Sequence, residues 1–178
     1  YGVPHFSFAK IPSMFNRTIT VNGLAKAFAM TGWRIGYIGA PDWIAKACTK
    51  MQGQITSGTN CIAQRATIAA LDASVGEIKY MVDEFKERRK LIIDLLNNIK
   101  GIKVNQPMGA FYVFPNIKQF GLSSIDMQDR ILSEAGVACL AGTSFGAEGE
   151  GYIRFSYANS IANIEEGVGR VRRFLENI

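Results

Sequence analysis

One histidine, His5, is all this chain has, and a single imidazole cannot build a two-histidine zinc site of the His-Glu-x-x-His kind or a histidine metal cluster of its own. Cysteine is nearly as scarce. Cys48, Cys61 and Cys139 are odd in number and lack paired spacing, which argues against a disulfide framework or a metal knuckle; they read as small buried apolar residues. No metal is expected. No Gly-Lys dipeptide occurs, so there is no P-loop. No uncharged apolar run approaches the roughly 18 residues of a spanning helix, and no basic-then-apolar leader is present, so the reading is cytoplasmic with no membrane partner.

What is there suits a globular piece. With 48% hydrophobic and 20% charged residues in 178, the chain can bury a moderate core. A net charge of +5 raises the question of nucleic acid. The dense basic cluster Lys86, Arg88, Arg89 and Lys90 is interleaved with Glu84 and Glu87 on a helical pattern, and Arg170, Arg172 and Arg173 lie near the C-terminus. Neither has interleaved aromatics or a binding motif, so both read as solvated helix faces and no nucleic-acid partner is expected. Gly146 to Gly151 is glycine-rich but precedes a strand rather than joining strand to helix, and reads as a flexible turn.

The segment Val21 to Tyr37, VNGLAKAFAMTGWRIGY, carries the chemistry. Thr18 to Val21 reads as a short buried strand, and Asn22-Gly23 as the turn at its end. Lys26 therefore sits just past a strand terminus, where an α/β sheet presents its ligand site. A partly desolvated lysine among other cations is a competent amine nucleophile toward a carbonyl. Eight positions on, Arg34 lies between Gly32 and Gly36 and offers a planar fork suited to phosphate oxygens. A surface lysine and a structural arginine would account for such a pair taken alone.

The second half of the chain adds another arginine. In Tyr152 to Tyr157, period-two alternation puts Ile153 and Phe155 on one face, Arg154 and Ser156 on the other. An arginine there needs an anionic partner, either a ligand or a structural Asp or Glu.

Val21 to Tyr37 resembles the lysine motif of class I aminotransferases, the fold-type I pyridoxal-phosphate (PLP) enzymes, and especially the bacterial aspartate aminotransferase subgroup. Ordered blocks along nearly all of the chain extend the resemblance: His5 to Ala9, Arg17 to Ile19, Ala63 to Thr67, Gly109 to Phe114, Gly142 to Gly146 and Tyr152 to Ala158. It implies that Lys26 is the Schiff-base lysine that moves the proton between substrate Cα and cofactor C4′. It implies also that Arg34 binds the cofactor phosphate, that Arg154 binds the substrate α-carboxylate, and that Gly109 and Phe145 lie near the substrate. The implied cofactor is pyridoxal 5′-phosphate, the implied partners are an amino acid, a 2-oxo acid and a second subunit in a homodimer.

Two stretches depart from that pattern. Many relatives carry Ser where Ala25 and Gly23 stand, which shifts phosphate recognition toward Arg34 and residues elsewhere. Many read Pro-Gly where Ala141-Gly142 stands, a change expected to loosen that loop. The larger departure is length. At 178 residues beginning with Tyr1, the chain is expected to lack the upstream half, where the family keeps the aspartate partner of the pyridine nitrogen, the ring-stacking aromatic and a glycine-rich phosphate turn. The isolated chain is then expected to be inactive.

Periodicity supplies the organisation. Ile35 to Ala40 reads as a strand, Pro41-Asp42 opens a helix to about Gln52 with Asp42 as N-cap, and a second helix runs from about Thr59 to Asp72. A third runs over about 75–100, opened by the capping box Ser74 to Glu77 and closed by Gly101, with Ile78, Val82, Phe85, Ile92, Leu96 and Ile99 as its stripe, interrupted at Arg89. Strands at Ile102–Val104, Ala110–Phe114, Val137–Leu140 and Tyr152–Tyr157 follow, with helices at Ser124–Ala135, capped by Gly136, and Asn163–Glu176. The fold class is α/β with an α+β small domain: the C-terminal part of a fold-type I PLP-dependent transferase, with a remnant of the large domain's sheet. Residues 1–73 are expected to be the C-terminal portion of the PLP-binding domain, 74–100 a linking helix and 101–178 the small domain. Two other functions stay open from sequence. One is a fold-type I lyase or synthase of the C–S lyase or aminocyclopropane-carboxylate synthase kind, and the other a non-catalytic interaction module.

Overall fold

The computed structural model describes residues 1–178, the side chain of Val75 excepted. The chain divides into two compact units, Gly2–Tyr80 and Met81–Ile178 with Tyr1.

In the first unit, β1 (Thr20–Gly23) pairs antiparallel with β2 (Gly36–Gly39), and α1 (Asp42–Thr56) and α2 (Cys61–Asp72) follow. The strand expected to be buried is not: Thr20, Val21 and Asn22 are exposed, because β1 belongs to a two-stranded sheet. Asn22 and Gly23 also belong to the strand rather than to a turn, opposite Tyr37 and Gly36. Pro41, not Asp42, occupies the N-cap of α1; Asp42 is the first helical residue and pairs with Lys46 at 2.6 Å, a placement favoured by the helix dipole. The helix runs past Gln52 to Thr56 and ends where Ser57 turns left-handed, at φ 62°. In α2 the Asn60 carboxamide oxygen caps the start, accepting from the Ile62 and Ala63 amides at 2.9 and 3.1 Å. Among the described residues of this unit only Leu24, Met30 and Ala63 are buried hydrophobics, whereas Val21, Trp43 and Ile55 are 72–76% exposed.

In the second unit the core is continuous. The helix α3 (Val75–Asn97), whose Glu77 carboxylate accepts from the Ser74 amide as a capping box requires, supplies Ile92 and Leu96 to it. A three-stranded antiparallel sheet in the order β3-β5-β4 follows, with β3 at Tyr112–Val113, β4 at Leu140–Ala141 and β5 at Ile153–Ser156. The helices α4 (Ser124–Ala135) and α5 (Ile161–Leu175) touch each other, and α4 also contacts β4 and β5. The α5 stripe Ile164, Val168, Val171, Phe174 and Leu175 is buried throughout, as its spacing predicts. Its cap is Ser160, so the helix opens two residues before the expected start at Asn163, with Ser160 Oγ accepting from the Asn163 amide at 3.2 Å.

Two other strands are shorter than expected. Of Ile102–Val104 only Lys103 forms a bridge, to Asn116. Gly136 caps α4 at φ 65°, with the Val137 amide donating back to Ile131, which holds Val137 in the helix end and leaves β4 to begin at Leu140. The thiols correct a further expectation. Cys48 and Cys61 are exposed, on outer helical positions, and only Cys139 is half-buried.

Leu96→Ala, at a fully buried position, should cost about 2–5 kcal/mol in denaturant unfolding of the second unit. Burial, helped by the charge of Asp129, pushes the Cys139 thiol up to about 11. Only about one Cys139 in a thousand is then thiolate at pH 8. Cys48 and Cys61 should react with a disulfide reagent well before Cys139, whose rate should still be rising at pH 10.

Candidate active site

Lys26 and Arg34 lie in the same connection, the residues between β1 and β2. Its ends are drawn together by glycine: a Cβ on Gly36 would stand 3.1 Å from the Asn22 carbonyl oxygen, tighter than ordinary contact, so a larger residue would push the strands apart. Lys26 occupies an exposed turn closed by the Phe28 amide donating to the Leu24 carbonyl at 3.2 Å, and Ala29 leaves that turn left-handed at φ 53°. Arg34 is also left-handed, at φ 52°, a conformation few non-glycine residues adopt. One of its Nη groups donates to the Thr31 carbonyl at 2.9 Å, and the side chain is exposed. The guanidinium borders an open cavity of about 770 Å³ whose polar lining includes Gln52, Thr56, Thr59 and Asn60. The Arg34 guanidinium, with most of its donors uncommitted, and the hydroxyls and amides of that cavity fit a phosphate, while the Lys26 amine, on the same connection but outside the cavity lining, fits an aldehyde.

The remaining candidates belong to the second unit. Arg154, on β5, points away from the core that receives Ile153 and Phe155, as the alternation predicts. Its partner is not a carboxylate. Among the described residues the guanidinium contacts two aromatic rings, with its carbon 4.2 Å from the Tyr112 ring centre and 4.3 Å from that of Phe145. Arg154 and Phe145 are therefore brought together. Gly109 is exposed and a Cβ there would meet nothing within 4 Å, so no steric need for glycine exists at that position. The unusual backbone lies one residue on, at Ala110, with φ 58°. Lys26 and Arg34 belong to one unit; Arg154, Gly109 and Phe145 belong to the other.

Four further residues shape these loops without having stood out in the sequence. The segment Gly146–Gly151, expected to be flexible, is pinned by Ser124, which is fully buried. Its hydroxyl accepts from the Gly151 and Tyr152 amides at 2.9 and 3.2 Å and donates to the Gly149 carbonyl at 3.3 Å. The Glu150 carboxylate accepts from the Ser124 amide at 2.8 Å. Nor is the Ala141-Gly142 loop loose: Gly142 donates to Tyr152 at 2.8 Å, and a Cβ there would collide with the Gly149 carbonyl. Arg89, the break in the α3 stripe, donates to the Pro107 carbonyl at 2.8 Å and covers the Tyr1 ring at 4.1 Å. Tyr157 donates to Ala110 at 2.9 Å; burial and its bond with Tyr1 hold its hydroxyl well above the usual tyrosine range. A second serine following the helix cap Ser123, and an arginine on an apolar stripe, were the available signals.

Residues 4–171 match the family described as aminotransferase class I and II. The chain belongs to that family. An aspartate aminotransferase of Pyrococcus abyssi is 42% identical over 175 residues, covering 97% of this chain and 45% of the relative. A bifunctional aspartate aminotransferase and glutamate/aspartate-prephenate aminotransferase of Petunia hybrida is 41% identical over 187 residues, covering 98% and 39%. The crystal structure of an aromatic aminotransferase from Pyrococcus horikoshii superposes with a TM-score of 0.95 at 40% identity, covering 99% of this chain and 48% of that one. The fold is that of fold-type I aminotransferases, and the chain spans less than half the length of these relatives. Among the described residues no three His, Cys, Asp or Glu groups gather as a metal site, and no helix is long and apolar enough to cross a membrane.

The Ser124 hydroxyl shares its two amides with other acceptors, since Gly151 also donates to the Glu150 carboxylate at 3.1 Å and Tyr152 to the Gly149 carbonyl at 3.2 Å. Ser124→Ala should therefore lower stability by only about 0.5–1.5 kcal/mol, measured by thermal or denaturant unfolding.

Proposed function

We propose that this chain is the C-terminal part of a PLP-dependent aminotransferase that moves an amino group between an L-amino acid and a 2-oxo acid. The observation that carries the reading is the single β1–β2 connection bearing both Lys26 and Arg34. When bound, PLP supplies the electron sink that lets an amino acid's Cα–H bond ionise. The Lys26 Nζ would hold the cofactor through its aldehyde carbon and, once displaced by the substrate's amine, would be the free amine that carries the proton from the substrate Cα. The Arg34 guanidinium holds the phosphate by charge-assisted bonds. Arg154 takes the substrate α-carboxylate, and Gly109 and Phe145 border that end of the substrate.

The proposal extends to assembly and place. A homodimer is supported by the exposed Trp43, Met51, Ile55 and Ile62, apolar surface that further polypeptide would cover. A cytoplasmic setting is supported by three free cysteines. The thin core of Gly2–Tyr80 supports the view that the 178-residue chain alone is inactive. Relatives named for aspartate and for aromatic amino acids leave the side-chain preference of this protein to be measured.

In the full-length enzyme, assayed with a panel of amino donors against 2-oxoglutarate, Lys26→Ala should lose turnover with every donor. Arg154→Leu should raise KM for the donor about 10–100-fold, the loss of bonds to a charged group. Full turnover by the Lys26 variant, or pyruvate with ammonia or thiol in place of the donor's own keto acid, would overturn the reading.

A further inference from the structure

The surroundings of Arg154 are more specific than a carboxylate anchor requires. On the face of the sheet opposite the core, Arg154 of β5 has Leu140 of β4 as its direct neighbour, and Tyr112 of β3 stands opposite Ser156. That register places Tyr112 diagonally from Arg154 on the same face, within reach of a long side chain. Phe145 arrives from the short turn Gly142–Phe145 that follows β4. The rings stand 4.2 and 4.3 Å from the guanidinium carbon.

Phe145 is 51% exposed, yet it is held from behind. Phe114 meets it edge-on at 6.2 Å, Tyr152 stacks on Phe114 at 5.3 Å, and the Lys118 ammonium lies 5.3 Å over Tyr152. Its turn is fixed in addition by the Gly142–Gly149 approach and by Ser124. An aromatic half in water contributes little to a core. It does restrict the arginine it touches.

We propose that Tyr112 and Phe145 are positioning residues that hold the Arg154 guanidinium by its π surface and leave its edge donors for in-plane recognition of a planar carboxylate. The proposal rests on the reading of Arg154 as the carboxylate anchor and adds what selects the ligand's shape. A carboxylate puts two oxygens in the guanidinium plane, matching the fork. A tetrahedral sulfonate carries a third oxygen out of that plane, toward the rings. Tyr112 needs only its ring for this role, so Tyr112→Phe retains it while Tyr112→Leu does not.

The test follows the Arg154 Nε–H resonance of the full-length protein by NMR, assigned by its loss in Arg154→Lys, during titration with butanoate and with 1-propanesulfonate. In the unsubstituted chain the resonance should be shifted upfield by ring currents and respond to butanoate at lower concentration than to the sulfonate. Tyr112→Phe should preserve both features. Tyr112→Leu and Phe145→Leu should each return the resonance toward its ordinary position, weaken butanoate about tenfold and abolish the preference between the two anions. An unchanged resonance and unchanged preference in both leucine variants, with butanoate still binding at Arg154, would overturn the positioning role alone. A normal ring-current shift without any response to butanoate would overturn the anchor reading, and the inference with it.

Discussion

Where Gly23 faces Gly36, two backbones approach closely enough that a Cβ on Gly36 would stand 3.1 Å from the Asn22 carbonyl oxygen, and the connection that bears Lys26 and Arg34 starts from that approach. The Gly36 hydrogen fills the space in which a Cβ would press on the Asn22 carbonyl. The strands can therefore run side by side up to the point where the chain leaves to form the Lys26 turn. At the far end Arg34 takes a left-handed backbone before β2 begins, a local cost of order 1 kcal/mol or more that tertiary structure must offset. Sequence distance is converted into a shared connection by backbone geometry, not by side-chain packing. Little else is available, since the unit around it buries few apolar side chains.

The second unit solves a similar problem differently. Its loops are fixed from the core outward: the Ser124 hydroxyl and the Glu150 carboxylate satisfy the amides of the glycine-rich turn, and the Gly142–Gly149 approach fixes the turn that carries Phe145. Arg89 and Tyr157 hold Pro107 and Ala110 on either side of Gly109. Polar groups that would be costly to leave unpaired are spent on loop carbonyls and amides. The guanidinium of Arg154 differs, with aromatic faces in place of an acid among the described residues, so its donors are not consumed by the fold.

Much of this was legible in the residues, and the limits have physical causes. The alternation in Tyr152–Tyr157, the α5 stripe and the Gly136 cap were readable because each is a local pattern whose period or backbone requirement a short segment states in full. The family was readable from ordered blocks, and the match over residues 4–171 bears it out. The burial of Thr18–Val21 was not readable, because β-branched residues look alike whether a strand is central or, as here, has one partner. The partners of Arg89, Ser124 and Arg154 lie 18, 25–28 and 9–42 residues away, distances at which single-sequence patterns carry no information. Of the two partners left open for Arg154, a ligand or a structural acid, the described residues offer no acid, and the rings beside it were unreadable for the same reason. The sequence shows that an arginine needs company, not which company.

The central claim is that Lys26 is the residue that takes the cofactor's aldehyde. The most direct measurement adds PLP to the native full-length protein, reduces it with borohydride and maps the modified peptide by mass. The account predicts one phosphopyridoxyl group, on the peptide containing Lys26, and none there in Lys26→Ala. Stoichiometric label on another lysine, with Lys26 unmodified, would contradict it.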